Sequence, residues 1–177
     1  MIDVFELLMA ASMIGAVDVL YYHLYRFRLF ERADSVKEEV THLLRHVLFL
    51  LIVAVVMFAR AEPWAIHLLL GLFLADLLNS AADVLLERRS RASLGGLPSG
   101  EYLLHIVGSV MTGAVVATAW WRQGDAGSLS ELEWARGWLT LGLGGALLVL
   151  ETALFRAALV RRGRGVREPG PASLAPS

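Results

Sequence analysis

The sequence predicts an all-α integral membrane protein, a bundle of five transmembrane helices. Hydrophobic residues make up 56% of the chain and the mean hydropathy is +0.58, which is too apolar for an ordinary soluble domain. The apolar residues occur in runs of about 20, the length that a helix needs to cross ~30 Å of hydrocarbon. These runs must be helical, because an open strand in lipid leaves its backbone groups without hydrogen bonds.

The hydropathy pattern places the five spans at approximately 4–25, 41–60, 64–86, 102–121 and 138–159. Local signals support three of the starts. Ser35 and Glu38 have the spacing of a capping box before the second span. Pro63 suits a first helical turn, and Ser99 in the turn LGGLPSG is the expected cap of the fourth helix.

The spans form one domain, which we expect to cover residues 1–160. The N-terminal stretch MIDVFELL lacks the basic region of a signal peptide, so we expect it to remain as part of the first helix. The segment 161–177 is basic at first and then rich in Pro and Ser, and we expect it to be a disordered cytoplasmic tail.

Basic residues predict the orientation of the bundle. Eleven Lys and Arg residues lie in the first and third connections and in the tail, whereas the opposite ends of the helices have three. The positive-inside rule therefore places the N-terminus outside and the C-terminus in the cytoplasm of a bacterial-type inner or plasma membrane. No basic face suited to nucleic acid is present, so the expected partner is the lipid bilayer.

Ionisable residues of all five spans fall in the cytoplasmic half of this predicted bundle. A charged side chain at mid-membrane costs about 2.5 kcal/mol or more, so these residues are expected to face the interior and to have partners. Each helix places its set on one stripe, because the spacings are three, four or seven residues. The candidate ligands are Asp18, Glu39, His42, His46, Asp76, Asp83, Glu101, His105 and Glu151.

This set predicts a metal site near the cytoplasmic face. The chain has no cysteine, and carboxylates with imidazoles suit iron best, with manganese or zinc as alternatives. Glu38 with His42 and Glu101 with His105 repeat one spacing on two helices, and two other helices carry acids. That inventory is typical of di-iron carboxylate bundles, although their motif is Glu-x-x-His, which only Glu39 and His42 match. The resulting hypothesis is a di-iron-type oxidoreductase that acts on an apolar, lipid-like substrate.

Other functions fit the same residues. His46 and His105 lie at similar predicted depths, so they could ligate a b-type haem. Asp76 and Glu151 could instead pass protons or cations in a relay or transporter. In a purely structural protein, the acids would pair with arginines such as Arg45. Simpler roles are also open for single residues. Glu38 could serve as a helix cap and nothing more, and His23 could lie at the membrane interface.

Overall fold

The computed structural model describes residues 3–122 and 129–163, and within them the chain is helical without strands. Five of its helices are long and apolar enough to span a membrane. The segment 164–177, which contains most of the predicted disordered tail, lies outside the described residues. The helices are α1 (Val4–Val17, continued by a π-helix, Asp18–Arg26), α2 (Val36–Phe58), α3 (Ala65–Ser90), α4 (Ser99–Trp121) and α5 (Glu131–Gly163).

The five helices pack in a closed ring. Helix α1 lies between α4 and α5, α2 lies between α3 and α5, and α3 and α4 are also neighbours. Every helix therefore presents one face to the interior. Short 3-10 turns at Leu29–Glu31 and Ala92–Leu94 belong to the connections at one end of the ring. We call this end the polar end, because the buried acids and histidines lie beside it.

The other end of the ring contains the apolar core. Phe5, Leu8, Ile52 and Val115 are completely buried there, and side chains of α3 complete the cluster. Large apolar side chains such as Leu78 point away from the ring and are exposed, as expected for a surface that meets lipid. The interior is thus divided along its length into an apolar half and a polar half.

A nine-residue π-helix follows α1 and alters which side chains face the interior. In an α-helix, positions five apart are rotated by about 140° around the axis. A π-helix instead bonds residue i to i+5, so positions five apart come to nearly the same side. Asp18 and His23 are both buried as a result. Such segments occur frequently at functional sites.

Several helix ends differ from those predicted. Helix α2 begins at Val36 rather than 41, and Ser35 makes no side-chain capping bond, so the expected capping box is wrong. Ser99 is the first residue of α4 and does not cap it. Helix α5 begins seven residues early, after Ser130, where Ser130 and Glu133 exchange hydrogen bonds of 2.8 and 3.2 Å. These two residues form the capping box that the hydropathy pattern missed.

Candidate metal centre

Ten buried ionisable side chains meet at the polar end, and we call them the polar cluster. None of them is more than 7% exposed. They come from four elements: the π-helix, α2, the C-terminal end of α3 with its following residue, and α4. The members are Asp18, His23, Glu38, Glu39, His42, Asp83, Glu87, Arg91, Glu101 and His105.

Helical spacing explains why these side chains converge. Glu38 and His42, Asp83 and Glu87, and Glu101 and His105 are three pairs four residues apart, each on one α-helix. Residues four apart lie on the same face about one turn from each other. Because α2, α3 and α4 are consecutive around the ring, the three faces point to a common region.

The best-formed group of possible metal ligands consists of His42, Asp83, Glu87 and His105. Nε2 of His42 lies 3.1 Å from Oδ2 of Asp83, and Nδ1 of His105 lies 3.2 Å from Oε1 of Glu87. One ligand atom from each of the four residues lies within 4.8 Å of all the others. Nε2 of His42 and Oε1 of Glu87 have no hydrogen-bond partner despite these close contacts. Unpartnered ligand atoms this close together could bind one metal ion between them. We call these four residues the principal group.

Two polar residues outside the principal group, Asp18 and Thr41, form hydrogen bonds with its members. Nε2 of His105 lies 2.9 Å from Oδ2 of Asp18 in a buried hydrogen bond. A neutral imidazole that donates from Nε2 carries its lone pair on Nδ1, the nitrogen that faces Glu87. The Thr41 hydroxyl donates to Asp83. Carboxylates and hydroxyls in these positions orient metal ligands in many proteins.

A second group, Glu38, Glu87 and Glu101, shares Glu87 with the principal group. Arg91 lies directly against this carboxylate group. Its Nη2 is 2.8 Å from Oε1 of Glu38 and also donates to Glu101. We call these three acids the carboxylate group.

His23 lies between Glu39 of α2 and Glu101 of α4. Its Nδ1 is 3.8 Å from Glu39, and its Nε2 is 3.5 Å from Glu101. His23 also belongs to two further sets of side chains that could hold an ion, one with Asp18, Glu101 and His105 and one with His42 and His105. The possible ligand sets therefore overlap, and His105 belongs to three of them.

The charge of the polar cluster favours cations. Six carboxylates and one guanidinium leave five negative charges uncompensated when the three imidazoles are neutral. Buried charges are strongly unfavourable unless they are paired or bind a metal. Both oxygens of Glu87 and both ring nitrogens of His23 have no hydrogen-bond partner among the described residues. Protons or divalent cations must supply the missing compensation, and the donor set fits iron, manganese or zinc.

Three of the nine predicted ligands lie outside the polar cluster. His46 lies 2.8 Å from Glu151, and Arg45 lies 3.6 Å from Asp76 while donating to the Ser109 hydroxyl. The reason is depth, since His46 is one turn beyond His42, and Asp76 is two turns from Asp83, or about 10 Å along the axis. These residues form a second polar set, deeper in the bundle.

A cavity of about 80 Å³ is lined by residues of both polar sets. Asp18, His42 and His105 line it from the polar cluster, and Arg45, His46 and Asp76 line it from the second set. Apolar side chains of α1, α2, α4 and α5 complete the wall.

The remaining six predicted ligands do meet: Asp18, Glu39, His42, Asp83, Glu101 and His105. The prediction omitted His23, Glu38, Glu87 and Arg91. The four-residue spacing of Asp83 and Glu87 was a usable signal, and so was that of Glu38 and His42. Helical periodicity does not place His23 or Arg91 in the site. His23 reaches the interior because of the π-helix, and Arg91 lies in the connection after α3.

No known protein family matches this sequence, and no similar protein was found among curated proteins or solved structures. The fold and the site together define a class: a five-helix protein of membrane type with a buried histidine and carboxylate cluster that could hold a metal.

Proposed function

We propose that this chain is a membrane-embedded metalloprotein built on the plan of the di-iron carboxylate proteins. The principal group binds one ion, and the carboxylate group forms a neighbouring position that shares Glu87. Iron is the metal that we favour, with manganese or zinc as alternatives. We further propose that the protein is an oxidoreductase and that its apolar substrate reaches the centre from the bilayer.

One observation carries this proposal, namely the overlap of the principal group with the carboxylate group inside a cluster of excess negative charge. Di-iron bundles combine two helices that carry Glu and His with two helices that carry a carboxylate. Here α2 and α4 supply the Glu and His pairs, and α3 supplies both remaining carboxylates. The pairs are one residue longer than Glu-x-x-His, so the geometry around each ion differs from that template.

The location of the centre is part of the proposal. The predicted orientation assigns the polar end to the cytoplasmic face, because the connections at that end hold most of the basic residues. A centre buried beside lipid-exposed helices suits a substrate that dissolves in the membrane. The cavity beside His42 and His105 provides space next to the proposed ions.

Metal content after purification without chelators tests the proposal. We expect at least one equivalent of iron or manganese per chain, with a visible spectrum that has no haem band. The double variant His42→Ala/His105→Ala should lose the metal. His67→Ala is the matched control, because His67 is exposed and distant in sequence from both ligands. A native protein that binds no iron, manganese or zinc, even after anaerobic reconstitution, would refute the proposal; zinc alone would favour hydrolytic or structural roles.

The geometry favours a metal ion over a b-type haem. Both nitrogens of His105 face carboxylates, and Nδ1 of His46 faces Glu151. A Soret band in the purified protein would reverse this preference.

A proton or cation relay is the second candidate, and the deeper polar set favours it. Both oxygens of Asp76 and both oxygens of Glu151 are buried without a hydrogen-bond partner among the described residues. Asp76 lines the cavity, which is large enough to hold water. Proton flux into proteoliposomes that Asp76→Asn abolishes would support the relay. A purely structural role predicts neither flux nor bound metal, since the ion pairs to Arg45 and Arg91 would then serve only stability.

A further inference from the structure

Arg91 has an unusual position for an arginine in a membrane-type bundle. It follows α3 directly, and its side chain is completely buried. Arginine is almost never fully buried unless it is paired. Its guanidinium carbon also lies 4.8 Å from the centre of the Phe27 ring, which covers it at the polar end.

The guanidinium uses one nitrogen for both of its acidic partners. Nη2 contacts Glu38 and Glu101, whereas Nε and Nη1 have no hydrogen-bond partner among the described residues. Arginine usually binds carboxylates through two parallel hydrogen bonds. Here it acts more like a point charge placed between two acids, which is how a metal ion would act.

The backbone holds Arg91 in this place. Its amide donates to the carbonyl of Glu87 at 2.8 Å. Its carbonyl accepts from the amides of Leu94 and Gly96, both at 2.9 Å. Gly95 and Gly96 adopt φ values of +86° and +98°, which L side chains rarely take. The tight turn therefore directs the arginine to the carboxylate group.

We propose that the guanidinium of Arg91 occupies the second position of the centre, so that the native protein binds one transition-metal ion per chain. That ion binds to the principal group. Arg91 neutralises Glu38 and Glu101, and a second dication would have to displace it. This inference rests on the proposed principal site, and it narrows the di-iron plan to one metal beside one guanidinium.

The number of bound Mn²⁺ ions tests this inference. Purified full-length protein is titrated with Mn²⁺, and electron paramagnetic resonance distinguishes an isolated ion from a coupled pair. We expect one equivalent in the native protein and two coupled equivalents in Arg91→Gln, because the three acids then lack a cation. Arg91→Lys keeps a positive charge and should bind one.

Arg45→Gln is the matched control. It removes an arginine that pairs with the interior acid Asp76, but it leaves the carboxylate group unchanged, so one equivalent is expected. If Arg91→Gln does not fold, the native protein and Arg91→Lys still decide the matter at saturating Mn²⁺. Two ions in the native protein would overturn the inference and leave the proposed function intact, as would one ion in folded Arg91→Gln. Absence of binding in every variant would refute both.

Discussion

Replacing Asp18 by asparagine tests how the principal group is held. Asp18 accepts a buried hydrogen bond of 2.9 Å from His105, and asparagine keeps the size and an acceptor oxygen but removes the charge. A hydrogen bond to a charged group contributes about 1.5–3 kcal/mol. About 1.4 kcal/mol corresponds to a factor of ten. We therefore expect metal affinity to fall about 10- to 100-fold, as it does when other residues that hydrogen-bond to metal ligands are replaced.

The assay is a competition titration with Co²⁺ against a chelating indicator, in which the visible bands of Co²⁺ also report the ligand geometry. Asp34→Asn is the matched control, because Asp34 is exposed and pairs with Arg32 at the surface. The control should bind Co²⁺ with native affinity. Unchanged affinity in Asp18→Asn would refute the orienting role. Altered Co²⁺ bands in Asp18→Asn would instead make Asp18 a direct ligand, in the set that also contains His23.

Three further predictions concern the hydrogen bond to a metal ligand, the packing of the core and the membrane topology. Thr41→Val removes the hydroxyl that donates to Asp83 and should weaken Co²⁺ binding about tenfold. Thr152→Val, which removes a hydroxyl that donates to the Leu148 carbonyl of its own helix, should not weaken it. Ile52→Ala should lower the free energy of unfolding in detergent by about 2–5 kcal/mol, because Ile52 is completely buried, while Leu78→Ala at 74% exposure should change it little. The native chain has no cysteine, so Glu62→Cys should react with an impermeant maleimide from the outside only; labelling from the cytoplasm would reverse the predicted topology.

The convergence of acids and histidines at one end could be predicted because it depends on depth. Each residue advances a helix by 1.5 Å, so equal distances from the helix ends place side chains at equal levels. Asp18, His42 and His105 were all assigned to the cytoplasmic half on that basis, and they do meet. The assignment was too coarse for His46 and Asp76, which differ from their neighbours by one or two turns and have other partners.

Partner choice could not be predicted, because it depends on which helices are neighbours. Glu151 was a candidate ligand with an arginine as its alternative partner, but α5 lies beside α2 and brings it to His46. Asp76 was left with several possible partners, and the packing of α2 against α3 selected Arg45. Glu38 was expected to cap its helix, yet the earlier start of α2 turns it toward Arg91 and Ser90.

The sequence by itself determined the class of the protein and the half of the bundle that carries its chemistry, because hydropathy and distance along a helix are local properties. The tertiary structure alone decided which of these groups form a possible metal site. The π-helix rotates His23 to the interior, and the turn through Gly95 and Gly96 places Arg91 between two acids. Both depend on backbone bonding and on the closed ring of helices, neither of which a hydropathy pattern encodes.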